Sequence, residues 1–120
     1  MDKIFLQHCS FDVLIGINEE ERSEKQELVI DLELFLDTKE AAISEDLQKT
    51  ANYLEAHRLI KQYLESKEHI LVESVAEEIA TLMLDNFSIG SVKIKINKPK
   101  PAVERNSTYF GVEIERSRLK

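Results

Sequence analysis

The sequence predicts an α+β protein in which a four-stranded antiparallel sheet carries two helices on one face, in the order β-β-α-α-β-β. Residues 28–37 and 92–98 alternate between apolar and polar side chains, which is typical of strands. Residues 72–86 instead repeat apolar side chains at helical spacing. The chain has 120 residues, without an internal repeat or a long linker, so we expect residues 1–120 to form a single domain.

The first two strands are predicted to form an antiparallel hairpin. Residues 3–17 are rich in Ile, Leu, Val and Phe, but Ser10 and Asp12 interrupt them, which favours a strand with a bend or a bulge. The acidic run 18–21 then leads through a loop to the second strand, residues 28–37, whose strict alternation predicts one buried and one wetter face.

Two helices are predicted to follow. Asn52 is a good N-cap, with Glu55 three positions later as in a capping box, and the helix is expected over residues 53–66. The second helix is expected over residues 72–86. Its apolar stripe consists of Val72, Val75, Ala76, Ile79, Ala80 and Met83.

The alternating pattern returns after the helices. It predicts a third strand over residues 92–98 and a fourth over 110–115. Between them, Pro99 and Pro101 lack amide donors and restrict the residues before them, so we expect an extended connection through residues 100–108.

The charge distribution excludes some partners. The formal net charge is −7, yet residues 93–120 carry a net +5 and the remainder −12. An acidic chain is repelled by phosphate backbones, so we expect no nucleic-acid partner. The basic segment either pairs with acidic surface, within or between subunits, or attracts a small anion. No apolar stretch is long enough to cross a bilayer, so we expect no membrane partner.

The cysteine content indicates the compartment. Cys9 is the only cysteine, so it cannot form an intrachain disulfide and completes no thiolate metal motif. We expect it to be a small apolar residue in a reducing environment. With no targeting signal visible, the cytoplasm is the predicted location.

The strands also predict self-association. Four strands without closure leave two sheet edges, and Val29 and Phe35 place apolar side chains on the wetter face of the second strand. Assembly with further copies would cover both features, so we expect a homo-oligomer.

Four side chains are candidates for chemistry. Glu73 lies at the start of the second helix, where a carboxylate either stabilises the helix end or holds a ligand. Lys98 ends the third strand and is either a surface lysine or a group that reaches into a crevice and exchanges protons. Tyr53 could stack on a flat ring or move a proton, and Glu21 lies in the first loop.

Several reaction classes have no support in the sequence. The histidines show no metal-ligand spacing, and there is no CxxC, HExxH, phosphate-binding glycine loop or G-x-S-x-G motif. We therefore expect no metal and no nucleotide cofactor, and no serine-hydrolase chemistry.

Five short motifs, taken in order and together with the β-β-α-α-β-β pattern, resemble the dihydroneopterin aldolase family. The similarity covers residues 3–116. The motifs are Ile15-Gly16-Ile17 followed by Glu21 and Gln26, Asn52-Tyr53, the heptapeptide at residues 71–77, Lys95-Ile96-Asn97-Lys98-Pro99, and Gly111-Val112.

The resemblance implies the tunnelling fold, in which subunits join their sheets into a ring-shaped barrel, as a tetramer or as an octamer of two stacked rings. It implies active sites between neighbouring subunits and a small dihydropterin substrate. The implied reaction is a metal-independent retro-aldol cleavage without a Schiff base, which yields 6-hydroxymethyl-7,8-dihydropterin and glycolaldehyde for folate biosynthesis.

The resemblance also implies roles for individual residues. Glu73 corresponds to the anchor whose carboxylate accepts two hydrogen bonds from the pterin, and Val72 and Ala51 line the ring through backbone groups. Lys98 corresponds to the catalytic lysine, which handles protons with Glu21 and a bound water. Tyr53, acting from the adjacent chain, corresponds to the tyrosine that protonates the enol-like intermediate.

Two alternatives remain open. Residues 16–31 are also similar to a sister branch that epimerises dihydroneopterin triphosphate at C2′, and the basic segment would suit a phosphorylated substrate. The helix start at Glu73 and the strand end at Lys98 are more similar to the aldolase. The other alternative is a non-catalytic ring-forming module that binds pterin-like or purine-like rings.

Overall fold

The computed structural model describes residues 1–118, and the predicted strand order is confirmed there. One antiparallel sheet holds the strands in the spatial order β1-β2-β3-β4. The strands are β1 (Asp2–Val13), β2 (Gln26–Leu36), β3 (Ser91–Lys98) and β4 (Phe110–Ser117).

Two main helices lie between β2 and β3, as predicted. The helices, numbered along the chain, are α1 (Glu19–Arg22), α2 (Lys39–Ser44), α3 (Tyr53–Glu65), α4 (Val72–Asn86) and α5 (Pro99–Val103), with a 3₁₀ turn at Leu47–Lys49. The sequence predicted α3 and α4 to within one residue at each end. It predicted none of the short helices.

The core lies between one face of the sheet and the helices α3 and α4. The buried face predicted for β2 is confirmed, since Leu28, Ile30, Leu32, Leu34 and Leu36 are all buried, but Val29 on the face expected to be wetter is buried as well. The side chains of the predicted buried face belong to one apolar cluster with residues from both main helices, among them Ile60, Leu64, Ile79 and Met83. Each fully buried side chain of this size contributes about 1.5–3 kcal/mol to folding.

The N-cap predicted for α3 is confirmed. The Asn52 side chain accepts hydrogen bonds from the backbone amides of Leu54 and Glu55, at 3.0 and 3.4 Å. The Glu55 carboxylate instead binds Arg58 of the same helix, so the reciprocal bond of the expected capping box is absent among the described residues.

Strand β1 contains the predicted irregularity. Its pairing with β2 shifts between Leu6 and Cys9, and His8 has a positive φ of 56°. The backbone amide of His8 donates to Oδ1 of Asp31 at 2.7 Å. The strand ends at Val13, earlier than predicted, because the next residues form a short parallel bridge, Ile15 with His69.

The extended connection predicted for residues 100–108 is wrong. Residues Pro99–Val103 form helix α5, with Lys98 as its N-cap residue. The amides of a helix's first turn have no carbonyl partner within the helix, so proline costs no hydrogen bond there and its fixed φ suits the helix. The two prolines start a helix where the sequence pattern suggested an extended segment.

The loop predicted before β2 also contains a helix. Asn18 caps α1, and its side chain accepts a hydrogen bond from the amide of Glu21 at 2.8 Å. A four-residue helix lacks the repeated apolar stripe that reveals longer helices in a sequence.

The basic C-terminal segment is paired within the chain at several points. Lys93 lies 3.7 Å from Glu113, and Arg116 forms a salt bridge with Glu77 of α4. The interpretation that this segment pairs with acidic surface is confirmed for these residues. None of the helices in the described part of the chain is long and apolar enough to span a membrane.

Candidate active site

An ion pair between Lys98 and Glu21 forms the centre of the candidate site. The Nζ atom of Lys98 donates to Oε2 of Glu21 at 3.0 Å, and the side chains are 17% and 30% exposed. Lys98 is the last residue of β3, whereas Glu21 lies in α1. The fold thus brings together two of the predicted catalytic residues across 77 positions of sequence.

Glu21 is held as an ionised carboxylate. The hydrogen bond from Lys98, aided by those from Gln26 and from the amide of Ile17, keeps the pKa of Glu21 below its usual value of 4.5, although partial burial opposes this effect. Oε1 accepts from the Ile17 amide at 3.1 Å. Both oxygens are therefore engaged, and the carboxylate has a defined orientation.

Gln26 helps to hold the Glu21 carboxylate in this orientation. It is only 6% exposed. Its Nε2 donates to the carbonyl oxygen of Ile15 at 2.8 Å and to Oε2 of Glu21 at 3.3 Å. Gln26 belongs to one of the sequence motifs, but the sequence alone predicted no role for it. The sequence feature that could have revealed Gln26 is a polar residue at the start of a strand that is otherwise buried on one face.

Gly16 makes room for the Glu21 side chain. A Cβ atom at residue 16 would lie 2.5 Å from Cβ and Cγ of Glu21. The guanidinium of Arg22 donates to the carbonyl oxygen of Gly16 at 2.9 Å, which ties this residue to α1. The sequence showed a glycine at the end of the first strand, but nothing local revealed the side chain that packs on it.

The pair opens into a cleft with a volume of about 720 Å³. The residues that line this cleft, from α1, α5 and their neighbours, carry charges of both signs. Besides Lys98 and Glu21, its charged residues are Glu20, Glu24, Lys100, Glu104 and Arg105. A polar, open cleft of this kind suits a hydrophilic small molecule.

Glu73 lies in the first turn of α4, as predicted, and is exposed. The N-cap residue of that helix is Leu71, and no side chain among the described residues caps the helix. The first-turn amides and the carboxylate are thus both available to a ligand. Val72, the first residue of α4, is partly buried against the core.

Tyr53 and Ala51 flank Asn52 at the start of α3. Tyr53 is 55% exposed, whereas Ala51 is buried. Within residues 1–118, neither Tyr53 nor Glu73 forms a hydrogen bond or a salt bridge with Lys98 or Glu21. The single chain therefore brings Lys98 and Glu21 together without a bond from either residue to Tyr53.

No metal site accompanies these residues. In the described part of the chain, no group of three or more His, Cys, Asp or Glu side chains is arranged to hold a metal ion. The arrangement offers a lysine, a carboxylate and open helix amides, which can bind a polar ring and move protons on it.

The fold and the site define an α+β protein with a lysine–carboxylate pair in a polar cleft. Comparison with known proteins identifies the family. The family model described as dihydroneopterin aldolase, FolB, matches residues 4–115. The chain belongs to the dihydroneopterin aldolase family, as the sequence motifs predicted.

Individual relatives agree with this assignment. The chain is 38% identical over 120 residues to the dihydroneopterin aldolase of Haemophilus influenzae, with all of both chains covered. It is 37% identical to that of Escherichia coli K12, over 97% of this chain and 93% of the relative. The crystal structure of the E. coli enzyme in complex with neopterin superposes with a TM-score of 0.91 at 37% identity, covering 98% of this chain and 100% of the other.

Proposed function

We propose that this protein cleaves 7,8-dihydroneopterin by a retro-aldol reaction, giving 6-hydroxymethyl-7,8-dihydropterin and glycolaldehyde for folate biosynthesis. The half-buried ion pair of Lys98 and Glu21 in an open polar cleft carries the proposal. It supplies an ammonium group and a carboxylate at one place, as proton transfer to and from a hydroxyl requires. The neopterin bound to the E. coli relative supports a pterin as the substrate.

Glu73 is the proposed anchor of the pterin ring. A pterin presents its 2-amino group and N3–H side by side, and a carboxylate can accept both hydrogen bonds. Glu73 lies in the first turn of α4, where the helix end carries partial positive charge that attracts a carboxylate. Backbone groups of Val72 and Ala51 are proposed to contact the ring as well.

The proposed reaction breaks the bond between C1′ and C2′ of the side chain. The 2′-hydroxyl gives its proton to Glu21, directly or through a bound water, and C2′ leaves as the carbonyl carbon of glycolaldehyde. The electron pair of the broken bond forms a C1′=C6 double bond, and the pair of the C6=N5 double bond moves to N5, which takes up a proton from Lys98. Tyr53 then protonates C1′ while N5 releases its proton, which restores the C6=N5 bond in the product.

Neither a metal nor a Schiff base is required by this route. The dihydropterin ring already contains a C=N bond beside the side chain, and its protonation makes it the electron acceptor. Lys98 is engaged in an ion pair with Glu21, and a protonated amine is not a nucleophile, so this lysine suits proton transfer better than covalent catalysis.

We also propose a homo-oligomer in which neighbouring copies complete each site. In the described residues, β1 and β4 each pair on one side only. Tyr53 is half exposed, and within residues 1–118 it forms no hydrogen bond with Lys98 or Glu21. A neighbouring copy that extends the sheet could bring its Tyr53 to this cleft. We place the reaction in the cytoplasm, where the lone thiol of Cys9 stays reduced.

The decisive experiment incubates the purified protein with 7,8-dihydroneopterin and with its triphosphate in parallel, and follows cleavage and C2′ epimerisation by chromatography. Release of glycolaldehyde from the free compound supports the proposal. Epimerisation confined to the triphosphate would identify an epimerase instead. Tight pterin binding without turnover of either compound would identify a binding module.

A further inference from the structure

His69 is a buried residue in the connection between α3 and α4. Its side chain and its backbone bind different parts of the fold. The imidazole Nε2 lies 3.0 Å from the carbonyl oxygen of Leu64, near the end of α3. The ring also packs on that of Tyr63, with centroids 5.2 Å apart and planes inclined by 55°. Only 4% of the residue is exposed, so its side chain has little freedom to move.

The Tyr63 ring is itself fixed between the two main helices. Its hydroxyl donates to Oε1 of Glu78 in α4 at 2.8 Å. Burial, together with the bond to Glu78, raises the pKa of Tyr63, so the phenol remains protonated and keeps its role as a donor. The imidazole of His69 is thus anchored to α3 directly and to α4 through Tyr63.

The backbone of His69 holds the segment that follows β1. Its amide donates to the carbonyl oxygen of Leu14 at 2.9 Å, and its carbonyl oxygen accepts from the amide of Gly16 at 3.1 Å. Ile15, between these two, is fully buried. Because both backbone groups of His69 are engaged, the position of its side chain determines where residues 14–16 lie.

Glu73 and the pair of Lys98 and Glu21 are both linked to the segment that connects α3 and α4. Gly16 is in contact with Glu21, which binds Lys98. Glu73 follows His69 by four positions, and a segment of that length spans at most about 14 Å. His69 is therefore joined to Glu73 by a short segment and to the pair of Lys98 and Glu21 through Gly16.

We propose that His69 is a positioning residue that sets the spacing between Glu73 and the pair of Lys98 and Glu21. This inference rests on the proposed function, since it concerns the alignment of a bound pterin with that pair. Reacting groups must be aligned closely, and a displacement of about 1 Å can lower a rate by about 10²-fold. The imidazole supplies the rigidity that such alignment requires.

The test compares His69→Ala and His69→Gln with the wild-type protein. His57→Ala is the matched control, because His57 is partly buried on α3 and packs on Phe11, with centroids 5.0 Å apart. The measured quantities are kcat for 7,8-dihydroneopterin, the dissociation constant of the product pterin, and the hydrogen-exchange rate of the Gly16 amide.

For His69→Ala we expect kcat to fall about tenfold, with the product dissociation constant changed less than about threefold. The Gly16 amide should exchange about tenfold faster. His69→Gln, which retains a donor for the Leu64 carbonyl, should recover most of kcat. His57→Ala should behave like the wild type in all three measurements.

An unchanged kcat in His69→Ala would overturn the inference, even if that variant melts at a lower temperature. An equal loss of kcat and of pterin affinity would also overturn it, because general destabilisation would then explain the result. If the wild-type protein cleaves no 7,8-dihydroneopterin, the proposed function fails and this inference fails with it, an outcome that the wild-type assay alone identifies.

Discussion

The Nζ atom of Lys98 lies 3.0 Å from Oε2 of Glu21, although 77 positions separate the two residues in the sequence. The end of β3 places the lysine. Contact with Gly16 and a hydrogen bond from Gln26 place the carboxylate. The pair is therefore formed before any substrate binds, which spares the reaction the cost of assembling it.

Replacing Lys98 should abolish most catalysis while preserving binding. For Lys98→Met we expect kcat for cleavage of 7,8-dihydroneopterin to fall by about 10²- to 10⁴-fold, the range of a general acid–base contribution. The pterin dissociation constant should change less than about threefold, because Glu73 provides the main contact. Lys93→Met, on the same strand and paired with Glu113, is the control. Full activity in Lys98→Met would contradict the proposed role.

Gly16→Ala should displace Glu21. The added Cβ would approach the first carbons of that side chain to 2.5 Å, and overpacking of this kind costs about 1–3 kcal/mol. We expect a lower free energy of unfolding in urea and a fall in kcat of about tenfold or more. Gly90→Ala is the control, since the nearest atom to its Cβ would lie at 3.5 Å. Equal behaviour of the two variants would argue against the contact.

Glu21 should make stability depend on pH in the acid range. Folding lowers the pKa of this carboxyl below its usual value of 4.5, so the unfolded chain binds the proton more readily. The stabilisation is complete above pH 4.5 and disappears as the pH falls through the lower pKa of the folded protein. We expect Glu21→Gln to reduce the free energy of unfolding by about 1 kcal/mol at pH 7.

That difference between Glu21→Gln and the wild type should shrink as the pH falls below 4.5 and the Glu21 carboxylate of the folded protein takes up its proton. Urea unfolding at several pH values measures it. Asp85→Asn, an exposed change on α4, is expected to show no such trend. A difference that persists undiminished at acid pH would rule out the ion pair as its source.

Glu73→Gln should retain the fold and lose pterin affinity. The carboxylate is exposed, and no side chain within residues 1–118 caps α4, so its contribution to stability is limited to about 0.3–1 kcal/mol from the helix end. Glutamine leaves one of the two ring donors unpaired, which costs about 1–3 kcal/mol and weakens binding by about 10- to 100-fold. Fluorescence titration with the product pterin measures this, and unchanged affinity would leave Glu73 with a helix-stabilising role only.

Mixing two inactive variants should restore activity if sites lie between copies. A homo-oligomer assembled from Tyr53→Phe and Lys98→Met chains would contain some sites with both native residues. We expect cleavage to reappear after the two proteins are unfolded and refolded together, and to be absent when each is refolded alone. Sedimentation analysis should show the same assembly for each variant and for the mixture. Failure of correctly assembled mixtures to regain activity would mean that both residues act from one chain.

Much of the architecture followed from local patterns. The alternation in β2 and the apolar stripe of α4 identified those elements because burial of one face requires a fixed spacing of apolar side chains. The short helices α1 and α5 were not predicted, since four or five residues are too few to show the helical repeat of apolar side chains. Pro99 and Pro101 suggested an extended chain, although proline is equally suited to a first helical turn.

By itself, the sequence determined the strand and helix order, the family and the identity of the candidate side chains, because these depend on residue type and spacing. Only the tertiary structure decided that Lys98 meets Glu21, that Gly16 must lack a side chain, and that Gln26 and His69 support them. Contacts between distant segments arise from how the sheet and helices pack. No local sequence pattern indicates which distant side chain will pack beside a given residue.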